Sequence, residues 1–275
     1  MIRFVFFAFF LLQCFVLSMA QSIDSYLGDE ATLYAQTKQV NQFFRRFNGE
    51  EGSNGQRYQL NDPDYRDAAV RKKYLQMIFD LESPYIDKTQ RRDFIEQVTA
   101  KSDPLLLNFH TGDWFAEVTT RFMYYGREEK VTLFLKLEEE NHGYKWVITN
   151  LFFKPFHELF INEDDGKLHF LHPLSHELDF MNLIKVFKET QKVANYAASG
   201  FKPDYLSVFL YELKRNNLTF QTVLNVKFHF FQVPGWYFEL SDTQRSGPNS
   251  GWLISSLVDI SEINKDDLLK YIYYE

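Results

Sequence analysis

The chain has 275 residues, enough for one large domain or two of ordinary size. Its formal net charge of −7 excludes the basic surface that a nucleic-acid backbone selects, so no nucleic-acid partner is expected. Aromatic residues make up 18% and Cys14 is the single cysteine, so the chain can fill large cores but cannot build a disulfide framework.

The first residues read as an export signal. Met1-Ile2-Arg3 carries a positive charge, Phe4 to Leu17 is an apolar run broken only by Gln13, and Ser18-Met19-Ala20 offers the small residues of a cleavage site. The signal is expected to span 1–20 and to be removed before Gln21, giving a periplasmic or extracellular protein. The run is short for a membrane span, and nothing later resembles one, so no transmembrane segment is expected after cleavage. Gln13 before Cys14 does not fit a lipid-attachment signal. Cleavage removes the only thiol, and export without disulfides suits a bacterial cell envelope.

Residues 21–30 read as a flexible polar lead-in. A helix is predicted over 31–47, where Leu33, Val40, Phe43, Phe44 and Phe47 recur at helical spacing, and Gly49 to Gly55 breaks it. A second helix is predicted over 65–80, with Ala69, Tyr74, Met77, Ile78 and Leu81 inward and Arg71, Lys72 and Lys73 facing water. A third, over 89–99, turns Phe94, Ile95 and Val98 inward.

From Leu105 the pattern becomes β. His110-Thr111-Gly112-Asp113 is a turn candidate, and Trp114 to Tyr124 is a strand. Val131, Leu133, Leu135 and Leu137 alternate with Thr132, Phe134 and Lys136, and Tyr144 to Phe153 returns, completing an antiparallel meander. Residues 154–175 form a connector that includes the turn Asp164-Asp165-Gly166. Helices are then predicted over 176–198 and 203–213, strands over 219–231, 236–240 and 252–260, and a last short helix over 265–274.

The two meanders echo each other. Arg121-Phe122-Met123-Tyr124 and Trp146-Val147-Ile148-Thr149-Asn150-Leu151 recur as Lys227-Phe228-His229-Phe230 and Trp252-Leu253-Ile254-Ser255-Ser256-Leu257, at a constant shift of 106 residues. A constant shift keeps Phe122 and Phe228, and Trp146 and Trp252, on matching faces.

Helices followed by a long antiparallel sheet, with Trp146-x-Ile148 and Trp252-x-Ile254 near the last strands, resemble the nuclear transport factor two-like superfamily of cone-shaped α+β folds. The resemblance implies an α+β chain of two helix-plus-curved-antiparallel-sheet, cone-like modules in tandem. The first spans 31–153 and the second, shorter one 176–275, and the two are expected to pack on each other. It also implies a choice of functions, since that fold hosts enzymes, binders and scaffolds.

Enzymes of the resembled fold place an Asp or a His–Asp pair in the cone as general base. His110 and Asp113, with Tyr124 or Tyr144 as hydroxyl donor, are the candidates here, although His110-Thr111-Gly112-Asp113 also reads as a polar turn. Trp146, His229, Trp236 and Trp252 are candidates for lining a ligand site, or else fill cores. His169, His172 and His176 are the donor types zinc takes, but Pro173 interrupts them, so no metal or other cofactor is expected. There is no phosphate-binding glycine loop and no HExxH or Gly-x-Ser-x-Gly motif. The leading expectation is an exported, non-catalytic binding or assembly protein of the bacterial cell envelope, with a protein partner or small apolar ligand. The alternative is an isomerase-, dehydratase- or hydrolase-like enzyme that uses the first cavity, and a third is a stabilising subunit with no ligand.

Overall fold

The computed structural model describes residues 39–52, 54–160, 183–188, 190–247, 249–261 and 263–274. The segments expected to form the export signal, the lead-in, the start of the first helix, most of the connector and the turn at Asp164 lie outside the described residues. In chain order the elements are α1 Val40–Asn48, α2 Ala68–Met77, α3 Lys88–Val98, β1 Trp114–Tyr124, β2 Arg127–Glu140, β3 Gly143–Phe152, α4 Lys154–Leu159, α5 Leu183–Lys188, a 3₁₀ turn Thr190–Tyr196, α6 Tyr205–Lys214, β4 Leu218–Phe230, β5 Trp236–Thr243, β6 Gly251–Asp259 and α7 Lys265–Tyr273. Aspartates start three of the helices. Asp67, Asp87 and Asp204 each accept two backbone N–H bonds from the first turn of α2, α3 and α6, and Asn264 accepts one, from Asp266 N, at the start of α7.

The fold is α+β, with one six-stranded antiparallel sheet in the order β3-β2-β1-β4-β5-β6. This corrects the expectation of two modules in tandem: Trp146 on β3 and Trp252 on β6 belong to the same sheet. The reason is pairing. β1 and β4 are the longest-spanning free edges the two meanders would otherwise leave, and an unpaired row of N–H and C=O groups is satisfied by the nearest equivalent strand. Backbone bonds from Phe231 N to Asp113 O (2.8 Å) and from Tyr125 N to Asn217 O (3.1 Å) mark the two ends of that pairing.

The repeat itself survives in the strands. Leu135 faces Ile148 and Leu240 faces Ile254; Leu137 faces Trp146 and Asp242 faces Trp252. Both third strands carry a bulge, and it skips Thr149 in β3 and Ser255 in β6, again 106 residues apart. Each skipped hydroxyl bonds back across the bulge, Thr149 Oγ1 to Phe134 O at 3.2 Å and Ser255 Oγ to Glu239 O at 3.3 Å.

Two compact units divide the chain, and each is discontinuous. The first runs through Asp113 and resumes at His229–Glu262. Its core is aromatic: Phe43, Phe47 and Phe94 from α1 and α3 meet Phe230 and Phe238 from β4 and β5, with ring centroids 4.7 to 6.3 Å apart. Arg71 lies fully buried among them. It donates to Phe47 O (3.1 Å), Val98 O (3.1 Å) and Leu105 O (2.7 Å), so one side chain closes the carbonyl ends of α1 and α3. Burial, with repulsion from Arg66 adding to it, pulls the Arg71 pKa down to about 10. Residues 78–80 leave α2 to lie beside β6, where Ile254 N donates to Ile78 O and Asp80 N to Ile254 O.

The second unit comprises Trp114–Phe228 and Ile263–Glu275. On one face of its strands Phe122, Val131 and Leu151 pack against Phe209 of α6 and Phe153 and Phe156 around α4. On the other face Phe115 and Phe134 meet Tyr273 of α7 at 5.3 and 4.7 Å. The helices that precede the first meander thus cover β5 and β6, and the helix that precedes the second meander covers β1 to β3.

Candidate functional site

The site with the strongest chemical bias grows from how α2 is rolled. Arg71, Leu75 and Ile78 recur at helical spacing and are buried. A helix that buries those positions turns Lys72, Lys73 and Met77 outward. This reverses part of the sequence reading. Arg71, expected in water, is in the core, while Ala69, Met77 and Leu81, expected inward, are exposed, Met77 to 37% and Leu81 to 58%.

Asp87 then starts α3, which brings Lys88, Arg91 and Arg92 to the same place. Backbone N–H bonds from Gln90 and Thr89 hold the Asp87 carboxyl below its usual range. Between α2 and α3 lies a groove of about 500 Å³. Five cations line it, Lys72 and Lys73 from α2 and Lys88, Arg91 and Arg92 from α3, over a floor of Met77, Leu81 and Ile95. No carboxylate lines it. Nearby, Lys72 faces Glu96 at 3.9 Å and Arg92 faces Asp93 at 3.0 Å, both exposed pairs of small energetic weight. Lys73, Lys88 and Arg91 make no ion pair among the described residues.

The residues proposed for catalysis are placed differently. His110 and Asp113 are exposed on a turn that Gln232 pins, accepting from Asn108 N and donating to Asn108 O and Thr111 O. Gly112 has φ +95, and a Cβ there would meet the Gln232 side chain at 3.0 Å, so this turn needs glycine. His110 borders a cleft of about 420 Å³ with Phe44, Phe109, Arg45 and Glu50, and Asp113 is not on its wall. Glu50 is held by Arg66 at 2.5 Å. Tyr124 belongs to the second unit, packed against Phe153 and Phe156. Burial, and then the charge of Glu212, pushes its hydroxyl pKa up.

The candidate ligand-lining residues are mostly structural in their contacts. His229 is buried, its Nδ1 hydrogen-bonded to the Tyr237 hydroxyl at 2.8 Å. Trp236 packs edge-on to Phe94 and donates its indole N–H to Gln97 Oε1 at 2.7 Å. Trp252 is half-buried on β6. Trp146 is 42% exposed and leans edge-on against Trp114 at 5.4 Å. His169, His172 and His176 lie outside the described residues, and among those described no group of three or more His, Cys, Asp or Glu is placed to hold a metal.

Sequence reasoning passed over two places. One is the α2–α3 groove, whose signal was available: Arg71 shares the spacing of Leu75 and Ile78, so it belongs to the buried stripe. The other is a cleft of about 320 Å³ in the second unit, where His157 stacks on Tyr205 at 4.1 Å beside Asp204 and Tyr273. Close to that unit's core, Asn217 Nδ2 donates to the Tyr125 hydroxyl at 2.8 Å and to Glu212 at 2.9 Å.

Compared with known protein families, curated proteins and solved structures, the chain finds no match. No helix among the described residues is long and apolar enough to cross a membrane.

Proposed function

We infer that this chain is an exported, non-catalytic binding or assembly protein of a bacterial cell envelope. The observation that carries the binding reading is the α2–α3 groove: five cations without a lining carboxylate, above an apolar floor, in a chain of net charge −7. Exposed apolar side chains rimmed by charge are a feature of interaction sites. The enzyme alternative asks for a paired base facing an enclosed cavity, whereas His110 and Asp113 are exposed and only His110 borders the cleft beside Phe44 and Phe109. Export is supported by the charge–apolar–small order of residues 1–20.

Two measurements test this. Mass spectrometry of the protein from its own cells should find Gln21 as the first residue; a retained Met1 on a cytosolic protein would sink the export half. In-cell crosslinking followed by peptide mapping should join this chain to a partner protein. Absence of any crosslinked partner under conditions that capture known envelope complexes would sink the binding half.

A further inference from the structure

We propose that the α2–α3 groove receives an acidic amphipathic helix from a partner protein. This rests on the reading of the chain as a binding protein and names the class of partner at that same site. Three features select the occupant. First, the cations are divided between two helices, Lys73 on α2 and Lys88 and Arg91 on α3, the last two about one turn apart. Charges spread along two helices suit a ligand with several separated carboxylates rather than one compact anion. Second, the floor of Met77, Leu81 and Ile95 asks the ligand for an apolar stripe between those carboxylates. A helix with leucine-like residues on one face and glutamates flanking them supplies both, in the helix-in-groove mode. Third, the apolar side chains stand at two depths, with Met77 and Leu81 37% and 58% exposed and Ile95 buried beneath them. Raised apolar side chains flanked by cations fit between the side chains of an amphipathic helix.

The pairing is also selective. Glu96 and Asp93 stand just outside the groove, where they repel a misplaced acidic helix and leave Lys73, Lys88 and Arg91 to hold it in register.

The test uses the mature full chain and a fluorescein-labelled amphipathic peptide built from leucine and glutamate, read by anisotropy. Binding should be saturable and should weaken as salt is raised, because rim charges are screened. The double variant K73E/R91E should bind about tenfold more weakly, and L81S roughly threefold more weakly, with unchanged circular dichroism. A peptide of the same composition scrambled to lose its stripe should bind at least about tenfold more weakly than the ordered one. Equal binding of ordered and scrambled peptides, full binding by K73E/R91E, or no binding of the ordered peptide overturns the proposal. So does binding to phosphatidylserine vesicles in place of the peptide. If crosslinking finds a partner on another face while the peptide fails, this inference falls and the binding reading stands. If both fail, both fall.

Discussion

The two meanders carry a hydroxyl side chain at the same bulge position, yet the unit that holds β5 and β6 and the unit that holds β1 to β3 are fastened by different forces. The first is tied by directional polar side chains. Arg71 bonds three carbonyls, Asn249 Nδ2 donates to Met77 O and Phe79 O, and Asn48 exchanges two bonds with the backbone of Leu107. The second is tied by aromatic edges, with Phe209 on Phe122 and Tyr273 on Phe134. Their outer strands differ too. The β6 edge is occupied by residues 78–80, while the β2–β3 hairpin keeps Glu138 and Glu140 around Lys145, a charged end that discourages further pairing. The lesson is that one strand pattern tolerates two ways of closing a core. Aromatic burial supplies area in both, and the polar ties fix register where distant pieces of chain must meet.

The largest way to break this contrast is at Arg71. Arg71→Ala removes the side-chain hydrogen bonds to the carbonyls of Phe47, Val98 and Leu105 and should cost about 4 kcal/mol, read by chemical denaturation. Hydrogen exchange should then show early opening of α1 and α3 while β2 and β3 stay protected. A cost under about 1 kcal/mol would mean that the polar tie is dispensable. In the second unit, Phe209→Ala should cost about 3 kcal/mol through a cavity beside Phe122, with the opening confined to α6 and β1 to β3. Equal opening of both units in either variant would erase the distinction.

A finer cut compares the two bulges. Ser255 shares its hydroxyl with Ser241, and its carbonyl accepts from Ser83, whereas Thr149 makes the bulge bond from an exposed position. Ser255→Ala should therefore cost about 1.5 kcal/mol and Thr149→Val about 0.5 kcal/mol; the reverse order would show that burial does not set the weight of the shared bond.

The smallest effect is expected from acid. Backbone N–H bonds lower the Asp87 pKa, and the Ser207 hydroxyl, followed by backbone N–H groups, lowers that of Asp204. A carboxyl depressed by folding contributes stability that is present above its unfolded pKa and is lost as pH falls through the folded value. Melting temperature should thus fall slightly on acidification below the ordinary carboxylate range, with D87N and D204N each flattening the slope. An unchanged slope in both variants would remove the caps from the account.

How much of this was legible in the sequence follows the range of the interactions. The strands, the turn at His110 to Asp113 and the packed His229 were readable, because alternation and turn chemistry are local. The single sheet was not: a repeat shows that Trp146 and Trp252 occupy like strands, and nothing in it says that β1 will pair with β4. The groove was hidden by one assignment. Counting Arg71 as a surface cation rolled α2 the wrong way and put Met77 and Leu81 in the core. Charge predicts exposure only until a side chain finds enough acceptors, and Arg71 finds three.

The crossed assignment of helices to strands also sets an order of events in time. Synthesis delivers α1 to α3 early, but their partners β5 and β6 come near the end, and Asn249 closes on Met77 O across 172 residues. Contacts so far apart in sequence form slowly, since a long loop must close before any of them is rewarded. The leading half therefore stays without its sheet until almost all of the chain has been made.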